Sequence, residues 1–199
     1  MASLSLAEQY TLRGLTGRIV GEVLADAYGI PSLGVVTNKS FICASLTGAV
    51  EAAFLADKGG LARVATAVTE KPADAKDAAR ALAGANTVML AYGGEADGET
   101  NYALTKAFLK EAAAADLDAD IFFHVRIWAP GFVKKAVAED EQIATFLKER
   151  ALGAFGFDLE RGVFIFHAVE VTEDGEVVSE PILETPLSVE HADLLRRSL

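Results

Sequence analysis

Two polar residues inside the apolar run Asp120 to Trp128 (DIFFHVRIW) offer the most chemistry in this sequence. Read as a strand, the run alternates, which puts Phe122, His124, Arg126 and Trp128 on one face. A fully buried strand does not carry histidine and arginine there without partners. As a pocket wall, Arg126 would grip a carboxylate or phosphate, and His124 would serve as acid or base. The structural alternative is a partly exposed face, or an arginine paired to a helix carboxylate. His167 sits in a second aromatic run, Gly162 to Val171 (GVFIFHAVEV). If the two strands are neighbours, it joins His124 as a catalytic candidate. Trp128, Lys39 and Tyr92, each at the end of an apolar run, complete the ligand-binding set with Arg126. Two histidines on separate strands bring no third ligand at a recognisable spacing, so no metal site is expected.

The turn Gly93 to Glu99 (GGEADGE) follows one expected strand and opens a helix, a position where many α/β proteins bind ligands. It matches neither a phosphate-binding loop nor the dinucleotide fingerprint, and Glu95, Asp97 and Glu99 would repel a phosphate. Those carboxylates suit a hard cation or, more simply, a helix N-terminus. Cys43, within SFICAS, reads as a buried and inert thiol, with Lys39 and Ser40 nearby at a strand end. Gly17 and Gly21, four apart on the first helix, point to close helix packing. No motif specifies a cofactor.

The elements that must position these residues follow from periodicity. Leu12, Leu15, Ile19, Val20, Val23 and Leu24 set one face of a helix over 5–28, stopped by Gly29 to Pro31. Ser32 to Thr37 reads as a strand, extended or paired by Ser40 to Ser45. A helix over 48–57 ends at Gly59 and Gly60, and Leu61 to Val68 forms a strand. Pro72 opens a helix over 72–84. Asn86 to Tyr92 is a buried strand and Thr100 to Ala115 a helix. Residues 131–151 read as helix, broken at Glu139 to Glu141. Asp174-Gly175 turns the strand at 162–171 into Glu176 to Leu183. Ser188 caps a closing helix that runs to Leu199. The alternation predicts a single α/β domain over 1–199. Its mixed, largely parallel sheet would be covered by helices and carry a C-terminal antiparallel hairpin; an α+β two-layer sandwich is the alternative.

Composition narrows the partners. Hydrophobic residues make up 51% and charged residues 24%, as in an ordinary folded domain. A net charge of −11 repels nucleic-acid backbones and anionic membranes, so neither is an expected partner. The single cysteine and the absence of a signal-like N-terminus suggest a reducing, cytoplasmic setting. The aromatic strands and the glycine-bearing helix offer more apolar surface than one small sheet buries, which predicts a homo-oligomer.

Residues 32–137 also resemble a bacterial microcompartment shell domain in their order of elements. SLGVVTNKSFICA is similar to that family's opening strand and helix start, and AVEAAFLA to its first helix. NTVMLAYGGEADGETNYALTKAFLKEAA is similar to its next strand, turn and helix, and DADIFFHVRIWAPGF to its last strand. The helix at 72–84 and the C-terminal residues depart from that pattern. The resemblance implies a non-catalytic, self-assembling protein. The residues themselves imply a domain that binds a small, anionic molecule, an enzyme of unspecified reaction included, or an accessory subunit of a larger complex.

Overall fold

Ser5 and Glu8 cap each other's backbone at the start of α1 (Leu6–Asp26), satisfying amide groups that the first turn leaves free. The computed structural model describes residues 4–59 and 62–198; Gly60, Leu61 and Leu199, to which three of the expected elements extend, lie outside the described residues. The chain continues through β1 (Ser32–Asn38), α2 (Phe41–Lys58), β2 (Arg63–Thr69), a 3-10 turn (Pro72–Asp74), α3 (Ala75–Ala81) and β3 (Thr87–Leu90). Next come α4 (Gly98–Ala114), β4 (Asp120–Phe123), the one-turn α5 (Val125–Trp128), α6 (Phe132–Glu139) and α7 (Glu141–Lys148). The chain closes with β5 (Leu152–Asp158), β6 (Val163–Val171), β7 (Val177–Pro186) and α8 (Val189–Ser198).

The seven strands make one sheet in the order β2-β1-β3-β4-β5-β6-β7. The first five are parallel, and β6 and β7 add the antiparallel hairpin. Helices cover both faces, which decides against a two-layer sandwich. Phe108, Leu109, Ile143 and Leu147 of α4 and α7 bury Val36, Leu90 and Phe123 on one side. Val20, Leu24, Val50 and Phe54 of α1 and α2 bury Leu33, Phe122, Phe155 and Phe166 on the other. Strand order reverses at β1, which lies between β2 and β3.

Three expected elements differ from the structure, each for a local reason. Ser40 to Ser45 is helix, not strand, because the Ser40 hydroxyl caps α2 by accepting from the Cys43 amide. The expected helix over 72–84 is a 3-10 turn at Pro72–Asp74 followed by α3, with Pro72 in its first turn. The strand expected over 120–128 stops at Phe123: the His124 imidazole caps α5, so His124 and Arg126 do not alternate along a strand. One strand went unanticipated. In β5 (LGAFGFD) Gly153 lies against the Phe122 ring, where a Cβ would fall 2.6 Å from Cδ2. The residue that makes this packing possible also erases the β-branched signature of a strand. The break in the helical run at 139–141 is present, with Asp140 capping α7 through the Gln142 and Ile143 amides. The Ser188 hydroxyl likewise caps α8.

Gly17 and Gly21 bring α1 against α2. A Cβ on Gly17 would meet the Ala49 Cβ at 2.6 Å, and one on Gly21 the Ala53 Cβ at 2.8 Å. The phenylalanines of β4 and β6 are buried within the chain's own core. The apolar surface that suggested self-association is therefore used internally. Gly21→Ala should lower unfolding free energy by about 1–3 kcal/mol through overpacking. Urea denaturation checks this; an unchanged midpoint would show that the helices can separate freely.

Candidate functional site

His124 ends β4 and turns the chain. Its Nδ1 accepts from the Arg126 amide at 3.2 Å, and its ring meets Phe155 edge-on with centroids 5.2 Å apart. Burial, helped by the charges of Arg13 and Arg126 and opposed by a bond to the Tyr92 backbone, holds its pKa down to about 3. The imidazole is therefore neutral, and because Nδ1 accepts, the proton is on Nε2. It fixes the direction in which Arg126 leaves the sheet. Gly93, at φ 156°, lets the Arg126 stem lie close: a Cβ there would come within 3.2 Å of Cγ.

Arg126 reaches a cleft at the carboxyl ends of β4 and β5, walled by α1, α5 and α8. The cleft encloses about 170 Å³ and is lined by Arg13, Arg126, Phe155, Phe157, Phe164 and Leu195 among others. Five arginines pair with carboxylates: Arg18 with Glu22, Arg80 with Asp77, Arg150 with Asp116, Arg161 with Glu184, and Arg197 with Glu8. Among the described residues, Arg63, Arg196, Arg13 and Arg126 have no such partner, and of these four Arg13 and Arg126 line the cleft. Burial lowers the pKa of Arg13, and the Arg126 charge lowers it further. Two cations, Arg13 half-buried and Arg126 exposed at the rim, thus line one cleft in a chain whose net charge is −11.

The other candidates lie elsewhere. His167 and Trp128 pack together, centroids 6.2 Å apart. His167 pairs with Ala154 across the sheet, on the α4/α7 face, whereas His124 packs on Phe155 of the opposite face. The two histidines are not brought together. The His167 Nδ1 is buried without a partner among the described residues, and burial lowers its pKa. Tyr92 lies in the core, its hydroxyl accepting from Thr69 at 3.2 Å, and burial raises its pKa. Lys39 is exposed after β1, paired with Glu70 at 2.8 Å, beside the outward-facing Phe41. Asp97 caps α4 through the Thr100 amide, which lowers its carboxyl pKa. Cys43 is 3% exposed, and burial raises its thiol pKa.

Sequence reasoning missed Arg13, Phe155, Phe157 and Phe164. Arg13 carried a signal: it lies one helical turn before Thr16 and Gly17 and two before Val20, on the stripe that α1 buries. A cation on a buried stripe needs a counter-charge. The phenylalanines gave none, because β5 itself went unread.

A second buried histidine, His191 of α8, is held to a pKa of about 4 by burial, with Nε2 3.0 Å from the Thr16 hydroxyl. In the unfolded chain both histidines titrate near 6.5. Between these values the unfolded state binds more protons, so stability falls as pH drops from about 6.5 towards 3. His124→Asn keeps a capping acceptor and removes one titration. Between pH 7.5 and pH 5 it should lose about 2 kcal/mol less than wild type, at about 1.4 kcal/mol per pH unit below 6.5. Denaturation at the two pH values measures this. Equal losses would mean that His124 is not held neutral.

Solved structures share this fold. An extracellular ligand-binding receptor from Verminephrobacter eiseniae ef01-2 aligns with a TM-score of 0.52 at 20% identity, over 74% of this chain and 38% of its own. An ABC-transporter solute-binding protein from R. palustris, in complex with benzoate, aligns at 0.50 and 14% identity, over 88% of this chain and 66% of its own. A solute-binding protein from Rhodopseudomonas palustris BisB5, in complex with 3,4-dihydroxybenzoic acid, aligns at 0.51 and 10% identity, over 91% and 67%. The chain spans less than two thirds of the length of the first two. These neighbours overturn the resemblance of residues 32–137 to a microcompartment shell domain. That resemblance rested on strands alternating with Ala-rich helices, an order this different sheet supplies equally well. No curated protein matches the sequence. A family model described as "Uncharacterized protein" matches residues 9–194, and the chain belongs to that family.

Proposed function

We propose that the chain is a binding domain for a small organic anion, received in the cleft between α1, α5 and α8. The observation that carries this reading is the convergence of Arg13 and Arg126 on one cavity without a carboxylate partner among the described residues. Two cations near each other in a partly desolvated space repel, and an anion between them relieves both the repulsion and the lost hydration. A guanidinium fork binds carboxylate oxygens in pairs, which suits an organic acid. The benzoate and 3,4-dihydroxybenzoic acid held by two neighbours of the same fold support a ligand of this size and charge. Fold alone would not, because one architecture serves many functions.

The reading gives His124 a positioning role. With Nδ1 accepting from the Arg126 amide, its task is to aim that guanidinium. No reaction is needed to account for the arrangement: Arg13 and Arg126 attract an anion, His124 orients Arg126, and the Thr16 and Ser198 hydroxyls are bonded to His191 and the Leu195 carbonyl.

Thermal unfolding with a panel of small carboxylates and inorganic phosphate tests the proposal. At 100-fold excess over Kd, a bound anion stabilises the folded state by about 2.7 kcal/mol. For a chain of this size that raises Tm by roughly 5–10 °C. Arg13→Gln and Arg126→Gln should each abolish most of the shift while leaving the Tm without ligand unchanged or slightly higher, because repulsion is relieved. If no anion in the panel moves Tm, the reading is wrong.

A further inference from the structure

We infer that the Thr16 hydroxyl is a third donor to the bound anion and that His191 positions it, by donating from Nε2 to the Thr16 oxygen. The inference rests on the reading of the cleft as an anion site and adds to it a relay that runs from α8 through α1.

The bonding of Thr16 comes first. A helical threonine can spend its hydroxyl proton on the carbonyl four residues back, as Thr11 does on Ala7 at 3.1 Å and Thr105 on Asn101 at 2.7 Å. Thr16 bonds across to α8 instead, with Oγ1 3.0 Å from the His191 Nε2. It lines the cleft with Arg13, which lies three residues earlier on the same helix face. Thr16 is 6% exposed, so its hydroxyl is largely withdrawn from bulk water.

The hold on His191 comes second. The residue is buried, its ring packs on Phe164 with centroids 5.2 Å apart, and its amide donates to the Ser188 hydroxyl that caps α8. Burial, helped by the Arg18 charge, keeps the imidazole neutral at neutral pH. A neutral imidazole carries one proton, on one of its two nitrogens. With that proton on Nε2, the Thr16 oxygen accepts it, and the hydroxyl proton of Thr16 is left for another partner. With that proton on Nδ1, Thr16 donates to Nε2 and has only lone pairs to offer the cleft.

The charge in the cleft decides between the two arrangements. Both make the same bond between α1 and α8. An anion held by Arg13 and Arg126 is repelled by the lone pairs of the second and accepts a proton from the first. His191 Nε2–H, Thr16 Oγ1–H and the anion then form one chain of donors, and such bonds polarise and strengthen one another. His191 touches no ligand in this arrangement; it acts through Thr16, as His124 acts through Arg126.

Isothermal titration of the full chain with benzoate at neutral pH tests the inference. Thr16→Val should weaken binding about tenfold, the worth of one hydrogen bond to a charged group, and Thr16→Ser should keep it within about twofold of wild type. His191→Phe should cost about as much as Thr16→Val, and the double variant about as much as either alone, because the two residues act as one unit. If the pair only docks α8 on α1, Thr16→Val and His191→Phe lower Tm and leave affinity unchanged. The inference then falls, and the anion site stands as long as Arg126→Gln still abolishes binding. A readout on the unaltered protein guards against a variant that folds poorly: nitrogen-15 NMR of the benzoate-saturated chain should show His191 protonated on Nε2. Protonation on Nδ1 would overturn the inference. If benzoate does not bind the unaltered chain, both readings fall together.

Discussion

The unanswered charge of Arg13 and Arg126 is the constraint around which this end of the molecule is organised. The chain carries 29 acidic residues, and Arg161 and Arg197 are among the cations they neutralise at the surface. Here two cations face one cavity, and burial together with mutual charge works against protonation of Arg13. Arg13 is half-buried and Arg126 stands exposed at the rim, so the lost hydration of Arg13 outweighs the repulsion between them, and both are relieved by an answering charge. A fold keeps such an arrangement when the answering charge arrives from outside.

Several features far apart in sequence hold the two cations in place. Gly17 and Gly21 let α1 sit close on α2, which sets the helix that carries Arg13. The His124 cap ends β4 early and swings Arg126 out of the sheet, and Gly93 clears room for its stem. The wall comes from β5 and β6, where Gly153 admits the Phe122 ring and so sets how the aromatic layer stacks. The last wall is α8, whose Leu194 and Leu195 form a small separate cluster with Leu12. Its ion pair from Arg197 to Glu8 ties the C-terminal helix to the start of α1 and pulls the Glu8 carboxyl down to about 2. Positioning therefore comes from backbone turns, caps and glycines, and binding chemistry from the side chains they aim.

Much of this was legible in the sequence. Periodicity gave the mixed, largely parallel sheet, its C-terminal hairpin and most of its elements, because alternating apolar runs and helical stripes record burial directly. Arg126 stood out because a cation in an apolar run needs a reason. What failed was geometry at element ends. His124 accepts a backbone bond as a cap, and nothing in IFFHVRIW distinguishes that from strand alternation. Once the chain turned there, Trp128 went to the His167 side of the sheet and Arg126 to the cleft. Strand β5 was hidden because Gly153, which must be small for the Phe122 ring of β4, breaks its strand-like pattern. Arg13 lies on the helix face that α1 buries, and apolar periodicity does not register a cation on that face.

The central claim concerns two particular arginine side chains, so the most direct measurement watches them. In the nitrogen-15 NMR spectrum, the guanidinium Nε–H signals of the nine arginines can be assigned by single substitutions. On addition of benzoate, the signals of Arg13 and Arg126 should move together, saturate at one equivalent and exchange their Nε protons with water more slowly, while those of Arg18, Arg80 and Arg161 stay fixed. If Arg13 and Arg126 stay fixed, or if all the arginines drift in parallel with ionic strength, the two charges do not form a site.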